Sequence, residues 1–258
     1  MGNVVIEVSQ LSKTFRMSAG RDRRSIRDMI LHPLSRTELK NEFKALDDIN
    51  FSVEQGEFFG IIGRNGSGKS TLLHILMGSM RADQGSILKT KGKMIRLALG
   101  MGFDGNLSAR DNIYVNGAIL GLTFKRIGLI FDDIIQFAEL EDFVDTPVKQ
   151  YSAGMLSKLK FAVAVHAEAD IFLMDEYFGG VGDMSFREKS ERVFKERLID
   201  GRTIIHVSHN LPTIKEHCNR VLVLDKGAQI ALGTPAETLP VYKKQFKNSR
   251  KIKNKKHQ

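Results

Sequence analysis

Apolar and polar positions follow two different patterns along this chain, and together they predict a mixed α/β fold. Residues 4–8 and 48–53 partly alternate, which predicts two strands that each have one buried face. Residues 58–62 are almost entirely apolar, which predicts a strand that is covered on both faces. A turn at 54–57 separates this run from the strand before it. We therefore expect an antiparallel edge that leads into a parallel core.

Strands and helices alternate in the second half of the chain. Strand-like apolar runs lie at 171–174, 203–208 and 220–224. Helical stretches such as 186–199 separate them, and this alternation is typical of a parallel sheet. Residues 108–150 differ, because Ser108 resembles a helix N-cap and 130–138 has apolar positions at three- and four-residue spacing. We interpret this region as a helical insert.

Residues 19–42 form a basic stretch before the second strand. Ile26, Met29 and Ile30 recur there at helical spacing, and Pro33 ends the pattern. The spacing predicts a short amphipathic helix. It would be either an ordinary surface helix that packs its apolar side chains inward or a docking element for a membrane or a partner.

The buried strand at 58–62 leads into a glycine-rich loop with the complete pattern G-x-x-x-x-G-K-[ST]. Glycines let successive backbone N–H groups turn toward phosphate oxygens, and the helix that follows adds its positive amino-terminal end. Lys69 would reach the β- and γ-phosphates, and the Ser70 hydroxyl would hold Mg²⁺. The loop therefore predicts a nucleoside triphosphate site formed by Gly63, Arg64, Asn65, Gly66, Ser67, Gly68, Lys69, Ser70 and Thr71.

Two acidic residues, Asp175 and Glu176, follow the apolar run at 171–174. In enzymes with a phosphate-binding loop, an acid at the end of such a strand completes the metal site. We expect Asp175 to hold Mg²⁺ opposite Ser70 and Glu176 to orient a water for in-line attack on the γ-phosphate. An Asp-Glu pair alone is common on protein surfaces, so the preceding loop is what makes this interpretation specific.

Composition adds a charge asymmetry to this picture. The chain has 258 residues, 42% of them hydrophobic, which is ample for a sizeable core, and a formal net charge of +9. Residues 243–258 contain eight lysines and arginines and no acid, so the rest of the chain is almost neutral. We predict that this tail is disordered, and attraction to an anionic membrane leaflet is the weaker alternative.

Secretion and membrane insertion are not expected from the sequence. The amino terminus lacks a basic start followed by an apolar segment, and no apolar run approaches the roughly 18 residues of a membrane span. Cys218 is the single cysteine, which excludes an internal disulfide and is typical of a reducing compartment. Any membrane that this protein serves would have to be reached through a partner.

A further motif, Tyr-Ser-Ala-Gly-Met at 151–155, precedes a predicted helix and the Asp-Glu strand. In this motif, and in the order of phosphate loop, helical insert, motif, Asp-Glu strand and later His209, the chain resembles the ABC transporter ATPases over roughly residues 3–235. The resemblance implies a phosphate-loop NTPase core with an antiparallel β subdomain and a helical insert. It places the ATPase domain at 3–242, its insert at about 104–165 and the tail at 243–258.

The resemblance also implies a homodimer that forms head to tail when ATP binds. Ser152 and Gly154 would then contact the γ-phosphate held by the loop of a second subunit, and Asp183 would belong to the dimer-contact loop. His209 would position the γ-phosphate, and Phe15 would stack on adenine, with Phe43 as the alternative aromatic residue. From the residues alone, Ser152 is better explained as an ordinary helix N-cap and His209 as an ordinary core histidine.

Several departures point to one branch of that family. The usual glutamine between the phosphate loop and the insert is missing, and a glycine-phenylalanine loop at 99–104 takes its place. This loop, with the residues that follow it, resembles the ATPases that export teichoic acids and lipid-linked polysaccharides. Ala153 and the residues 177–180 differ from the common family pattern, and both differences could slow turnover.

The resemblance implies an ATPase that uses ATP and Mg²⁺ at the cytoplasmic face of the cell membrane. Two copies would drive two copies of a separate membrane permease, which exports lipid-linked wall teichoic acid and carries the contacts to that polymer. Export of a capsular or O-antigen polysaccharide is the near alternative. A soluble ABC protein acting on ribosomes or DNA and a catalytically inactive scaffold are two further alternatives, and we expect no nucleic-acid partner.

Overall fold

The strands and helices that the apolar pattern predicts occur in the predicted order, together with three short strands that it does not predict, at 87–90, 94–97 and 228–233. The computed structural model describes residues 2–17, 41–175, 183–199 and 201–254. Its strands are β1 (Val4–Met17), β2 (Asn41–Glu54), β3 (Phe58–Gly63), β4 (Ile87–Thr90), β5 (Met94–Leu97), β6 (Ile171–Asp175), β7 (Thr203–Val207), β8 (Arg220–Asp225) and β9 (Ala228–Gly233). Its α-helices are α1 (Lys69–Leu76), α2 (Ala109–Ile119), α3 (Phe124–Ala138), α4 (Ala153–Ala164), α5 (Met184–Phe194), α6 (Leu211–His217) and α7 (Pro235–Asn254).

These strands form one mixed sheet in the order β4-β1-β2-β9-β8-β3-β7-β6-β5. β1 pairs antiparallel with β2 and β4, whereas β3, β5, β6, β7 and β8 pair in parallel with one another. The predicted antiparallel edge and parallel core are therefore confirmed. Because β3, β6 and β7 are parallel neighbours, their carboxyl ends lie at one edge of the sheet, which is where ligands bind in sheets of this kind.

Strand β3 is buried on both faces, as its continuous apolar run predicts. Phe59 and Ile61 pack into a cluster that also contains α1 and the inner faces of β1 and β2. Phe58 and Ile62 point to the opposite face and join a second cluster with the helical insert. A strand with both faces covered needs apolar side chains at every position, so alternation is lost.

Helices α2, α3 and α4 form the predicted insert. The Ser108 hydroxyl accepts a hydrogen bond from the Asp111 N–H, so the predicted N-cap of α2 is present. On α3, Ile127, Ile130 and Ile134 recur at helical spacing and are buried in the cluster around Phe161. The amphipathic pattern therefore predicts this buried helix face correctly.

The carboxyl-terminal helix α7 extends to Asn254 and so includes most of the segment 243–258. The disorder that composition predicts for this segment stays a prediction. Near the start of α7, the Thr234 N–H donates to Glu237 Oε2, and Leu239 and Tyr242 pack against the core. This anchored first part nucleates a helix that lysine-rich sequence can continue, because lysine is a good helix former. Among the described helices, none is both long and apolar enough to cross a bilayer.

Three predicted features fall on residues that the structure does not describe. The proposed amphipathic helix lies mostly within 18–40, the acid Glu176 and most of the dimer-contact loop lie within 176–182, and the last residues of the tail are 255–258. These parts of the sequence interpretation stay predictions.

Candidate functional site

The phosphate loop leaves the carboxyl end of β3 and enters α1 at Lys69. Gly66 and Gly68 have φ values of 77° and 104°, in the left-handed region that glycine tolerates best. A Cβ added to Gly68 would lie 2.6 Å from the carbonyl oxygen of Ala45. The loop can therefore keep this conformation only with glycine at that position.

The Lys69 ammonium lies inside the loop. Its Nζ donates to the carbonyl oxygen of Gly63 at 2.7 Å and to that of Arg64 at 2.9 Å, and the residue is buried. Beside it, the hydroxyl of Ser67 is buried and has no hydrogen-bond partner among the described residues. A buried hydroxyl without a partner is costly unless a ligand or water supplies one, so this loop fits an anionic, oxygen-rich ligand.

A cleft of about 340 Å³ brings together residues that are far apart in the chain. Residues 65–71 of the phosphate loop form one wall, and Asp175 at the end of β6 and His209 just after β7 reach the same space. Ser70 and Asp175 both line this cleft, as the predicted metal site requires. Hydroxyl and carboxylate oxygens suit Mg²⁺, which is usually bound by one or two such groups together with phosphates and water.

The two candidate adenine-stacking residues line different cavities. Phe43 lines the same cleft as the phosphate loop, whereas Phe15 lines a neighbouring cavity together with Lys13, Met80 and Asp83. Phe15 and Phe43 are directly opposite each other in the antiparallel pairing of β1 and β2. Their assignment to adenine stays a prediction, but of these two residues Phe43 is the one that lines the phosphate-loop cleft.

Ser152 and Gly154 lie at the start of α4 and are not among the residues that line the phosphate-loop cleft. The Ser152 hydroxyl accepts a hydrogen bond from the Met155 N–H and caps α4. Its N-cap role, which the sequence offered as the simpler alternative, is therefore present. Because the Ser152 side chain is exposed, the cap leaves it accessible to a second molecule.

Asp183 is held by its own chain. Its carboxylate caps α5 by accepting from the Phe186 N–H at 3.0 Å, accepts from the Ser185 hydroxyl at 2.7 Å, and pairs with Lys158 at 2.9 Å. The hydrogen bond from Lys158 and the one from the Phe186 N–H hold the pKa of Asp183 well below its usual value. The carboxylate is therefore ionised at neutral pH and fixed in place.

Three charged or titratable residues beside the candidate site residues were not predicted from the sequence. Arg96 on β5 forms an ion pair with Asp175, Lys158 on α4 pairs with Asp183, and His206 is fully buried on β7 beside Phe58. Burial lowers the pKa of His206 to about 4, and the nearby His217 contributes in the same direction. Of these three residues, Arg96 alone could have been noticed in the sequence, because it is a single charged residue in an otherwise apolar strand.

This chain is similar to a known protein family and to known export proteins. The family model described as ABC transporter matches residues 46–179. The teichoic acids export ATP-binding protein TagH of Lactococcus lactis is 39% identical over 93% of this chain, which spans 51% of that relative's length. The O-antigen export system ATP-binding protein RfbB of Klebsiella pneumoniae is 38% identical over 84% of this chain and 89% of its own length.

Two further proteins are similar to this chain over most of its length and most of their own. A TagH protein of Staphylococcus saprophyticus is 33% identical over 98% of this chain and 93% of its own length. A solved dimeric ATP-binding cassette, MJ0796 bound to ADP and Pi, superposes with a TM-score of 0.62 over 89% of this chain and 98% of its own. Sequence identity to that structure is 20%, so the superposition establishes the fold alone.

Proposed function

Because this chain belongs to the ABC transporter family, we propose that it hydrolyses ATP to drive a separate membrane permease, which exports lipid-linked wall teichoic acid across the cytoplasmic membrane. The observation that carries the proposal is the cleft in which Lys69, Ser70, Asp175 and His209 converge. The similarity to teichoic acid export proteins over nearly the whole chain supports the choice of polymer.

In this proposal the phosphate loop binds ATP, and Lys69 turns from its loop carbonyls to the β- and γ-phosphates. Ser70 and Asp175 hold Mg²⁺, which neutralises charge on the phosphates when it is bound. Glu176, which lies outside the described residues, orients the attacking water, and His209 positions the γ-phosphate. The closely packed Gly68 and the buried Ser67 hydroxyl support a phosphate ligand, because both favour an anion that fits against the backbone.

The working unit in this proposal is a homodimer that forms on ATP binding. Ser152 and Gly154 at the start of α4 would complete the site of a second subunit, and the segment before Asp183 would lie at the dimer contact. Two observations support this arrangement: Ser152 is exposed, and it does not line the phosphate-loop cleft of its own subunit. Part of the charge stabilisation then arrives only when two subunits close, so hydrolysis is coupled to dimerisation.

The permease would bind the exposed apolar side of the insert. Val115 and Ile119 of α2 are 40% and 47% exposed, and Phe124 at the start of α3 is 68% exposed. Gly102 of the glycine-phenylalanine loop lies against Ile119, so this loop and α2 form one continuous surface. Contiguous exposed apolar side chains are typical of protein contacts, and this surface would place the ATPase at the cytoplasmic face of the membrane.

Export of an O-antigen or capsular polysaccharide is the second candidate. The similarity to an O-antigen export protein, 38% identical over 84% of this chain and 89% of its own length, favours it. In both candidate functions the permease makes most of the contacts with the polymer, and the protein has no nucleic-acid partner.

The decisive experiment reconstitutes the full-length protein with its cognate permease in liposomes and measures ATP hydrolysis. The proposal expects stimulation by a lipid-linked teichoic acid precursor that exceeds stimulation by a lipid-linked O-antigen or capsular glycan. The reverse order would select the second candidate. Hydrolysis that needs no permease and rises with ribosomes or nucleic acid would instead exclude the transport assignment.

A further inference from the structure

Lys158 occupies a junction between three helices. It lies on α4, six residues after the cap residue Ser152, and its side chain is only 12% exposed. Its Nζ lies 2.7 Å from a carboxylate oxygen of Glu139 and 2.9 Å from one of Asp183. Glu139 ends α3 and Asp183 begins α5, so one ammonium group joins the ends of two other helices.

Both carboxylates are held in position by other contacts. Glu139 is the C-cap of α3, with a left-handed φ of 59°, and its second oxygen lies 3.5 Å from the Lys189 ammonium on α5. Asp183 is fixed by its hydrogen bonds to the Phe186 N–H and the Ser185 hydroxyl. Lys158 therefore bonds to two acceptors whose directions are already set.

An aromatic cluster forms the apolar part of the same junction. The Phe186 ring on α5 lies 5.3 Å from the ring of Phe137 on α3 and 6.2 Å from that of Phe161 on α4, centroid to centroid. The Lys158 ammonium lies 5.1 Å from the centroid of Phe186. Apolar packing holds the helices together without fixing their rotation strictly, because the hydrophobic effect has no preferred direction. Charge-assisted hydrogen bonds do have a direction.

The exposed Ser152 caps α4, and Asp183, which caps α5, lies eight residues after the metal-site candidate Asp175. We propose that Lys158 is a positioning residue for ATP hydrolysis. By fixing the orientation of α4 against α5, it places Ser152 where it can contact the nucleotide held by a second copy of this chain. This inference rests on the ATP-dependent homodimer of the proposed function.

The test compares three variants in the full-length protein. Lys158→Met keeps the aliphatic side chain and removes the charge, and Lys158→Arg restores a cation. Arg126→Met is the control, because it breaks an exposed ion pair of the same insert, in which Arg126 Nε lies 2.7 Å from Glu168. For each variant we would measure the affinity for a fluorescent ATP analogue, kcat and KM. ATP-driven dimerisation would be measured by analytical ultracentrifugation in the Glu176→Gln background.

We expect Lys158→Met to bind the nucleotide with wild-type affinity and to lose at least about tenfold in dimer affinity and in kcat, because small errors in placing a catalytic contact are costly. Lys158→Arg should recover a substantial part of both losses, and Arg126→Met should behave as wild type. If Lys158→Met does not fold, Glu139→Gln provides the same measurement, since it removes one of the two acceptors and should weaken dimerisation in the same direction.

The inference is overturned if Lys158→Met dimerises and turns over as Arg126→Met does. It is also overturned if the nucleotide affinity falls as much as kcat, because the defect would then lie in folding rather than in positioning. If Glu176→Gln with Lys158 intact does not dimerise with ATP, the proposed function is overturned as well. If it dimerises, and adding Lys158→Met changes neither this dimerisation nor the turnover of the chain with Glu176 intact, this inference alone is overturned.

Discussion

The Arg96 guanidinium lies 2.8 Å from the carboxylate of Asp175, the residue that ends strand β6 at the phosphate-loop cleft. In the parallel pairing of β5 and β6, Arg96 is opposite Leu173. Leu173 packs into the cluster that contains α1. It therefore points to the side of the sheet that is covered by the phosphate-loop helix. A cation therefore pairs with the carboxylate that is proposed to hold Mg²⁺.

Removing that cation should strengthen metal binding. Both members of the pair are about 40% exposed, and exposed ion pairs contribute about 1 kcal/mol or less. We expect Arg96→Gln to tighten binding of Mn²⁺, used in place of Mg²⁺, by up to about fivefold in the presence of ADP. Electron paramagnetic resonance of free Mn²⁺ measures this directly. Arg126→Gln is the matched control, and weaker metal binding in Arg96→Gln would show that Arg96 supports the site.

Glu176→Gln should separate binding from hydrolysis. The substitution keeps the size of the side chain and removes the base, so we expect ATP affinity within about twofold of wild type and a loss of at least about 10²-fold in kcat. Equilibrium binding of an ATP analogue and phosphate release measure the two quantities. Equal turnover in wild type and variant would revive the interpretation of a catalytically inactive scaffold.

The adenine contact can be assigned by comparing two matched variants. Stacking of a base on an aromatic ring contributes about 1–3 kcal/mol, so the variant that removes the stacking residue should weaken ATP binding by about fivefold or more. Because Phe43 borders the phosphate-loop cleft, we expect Phe43→Ala to weaken ATP binding measurably. If Phe15→Ala alone weakens binding, the assignment by resemblance is correct and the position of Phe43 has another purpose.

His206 should make folding sensitive to mild acid. Its pKa is lowered to about 4 by burial, whereas an unfolded histidine titrates near 6.5, so the unfolded chain binds more protons between these values. Stability therefore falls as the pH falls through this window. We expect His206 to account for roughly 2 kcal/mol of the loss between pH 7 and pH 5. Urea unfolding at both pH values measures it, and His206→Leu should show a correspondingly smaller loss.

Permease coupling should depend on the exposed apolar side of the insert. Phe124→Ser changes a side chain that is 68% exposed, so we expect a stability change within about 0.5 kcal/mol and unchanged basal hydrolysis. The stimulation of hydrolysis by the permease should fall severalfold. The liposome assay with and without permease measures both rates. Full stimulation in Phe124→Ser would argue that the permease binds elsewhere.

The elements of the core could be predicted because their signals are local. The apolar run of β3 and the glycine pattern at 63–71 specify a buried strand, a tight loop and a helix from adjacent residues. The helical conformation of 243–254 could not be predicted from composition, since composition describes a free chain and does not include the packing of Leu239 and Tyr242 that anchors the helix.

By itself the sequence determined which chemical groups this protein can offer a triphosphate. The phosphate loop is a motif of adjacent residues, and Asp175 directly follows a short apolar run. Tertiary structure alone decided which charges meet: Arg96 with Asp175, 79 residues apart, and Lys158 with Glu139 and Asp183 on separate helices. The physical reason is that a local pattern fixes backbone conformation, whereas an ion pair depends on how sheet order and helix packing bring distant side chains within a few ångströms.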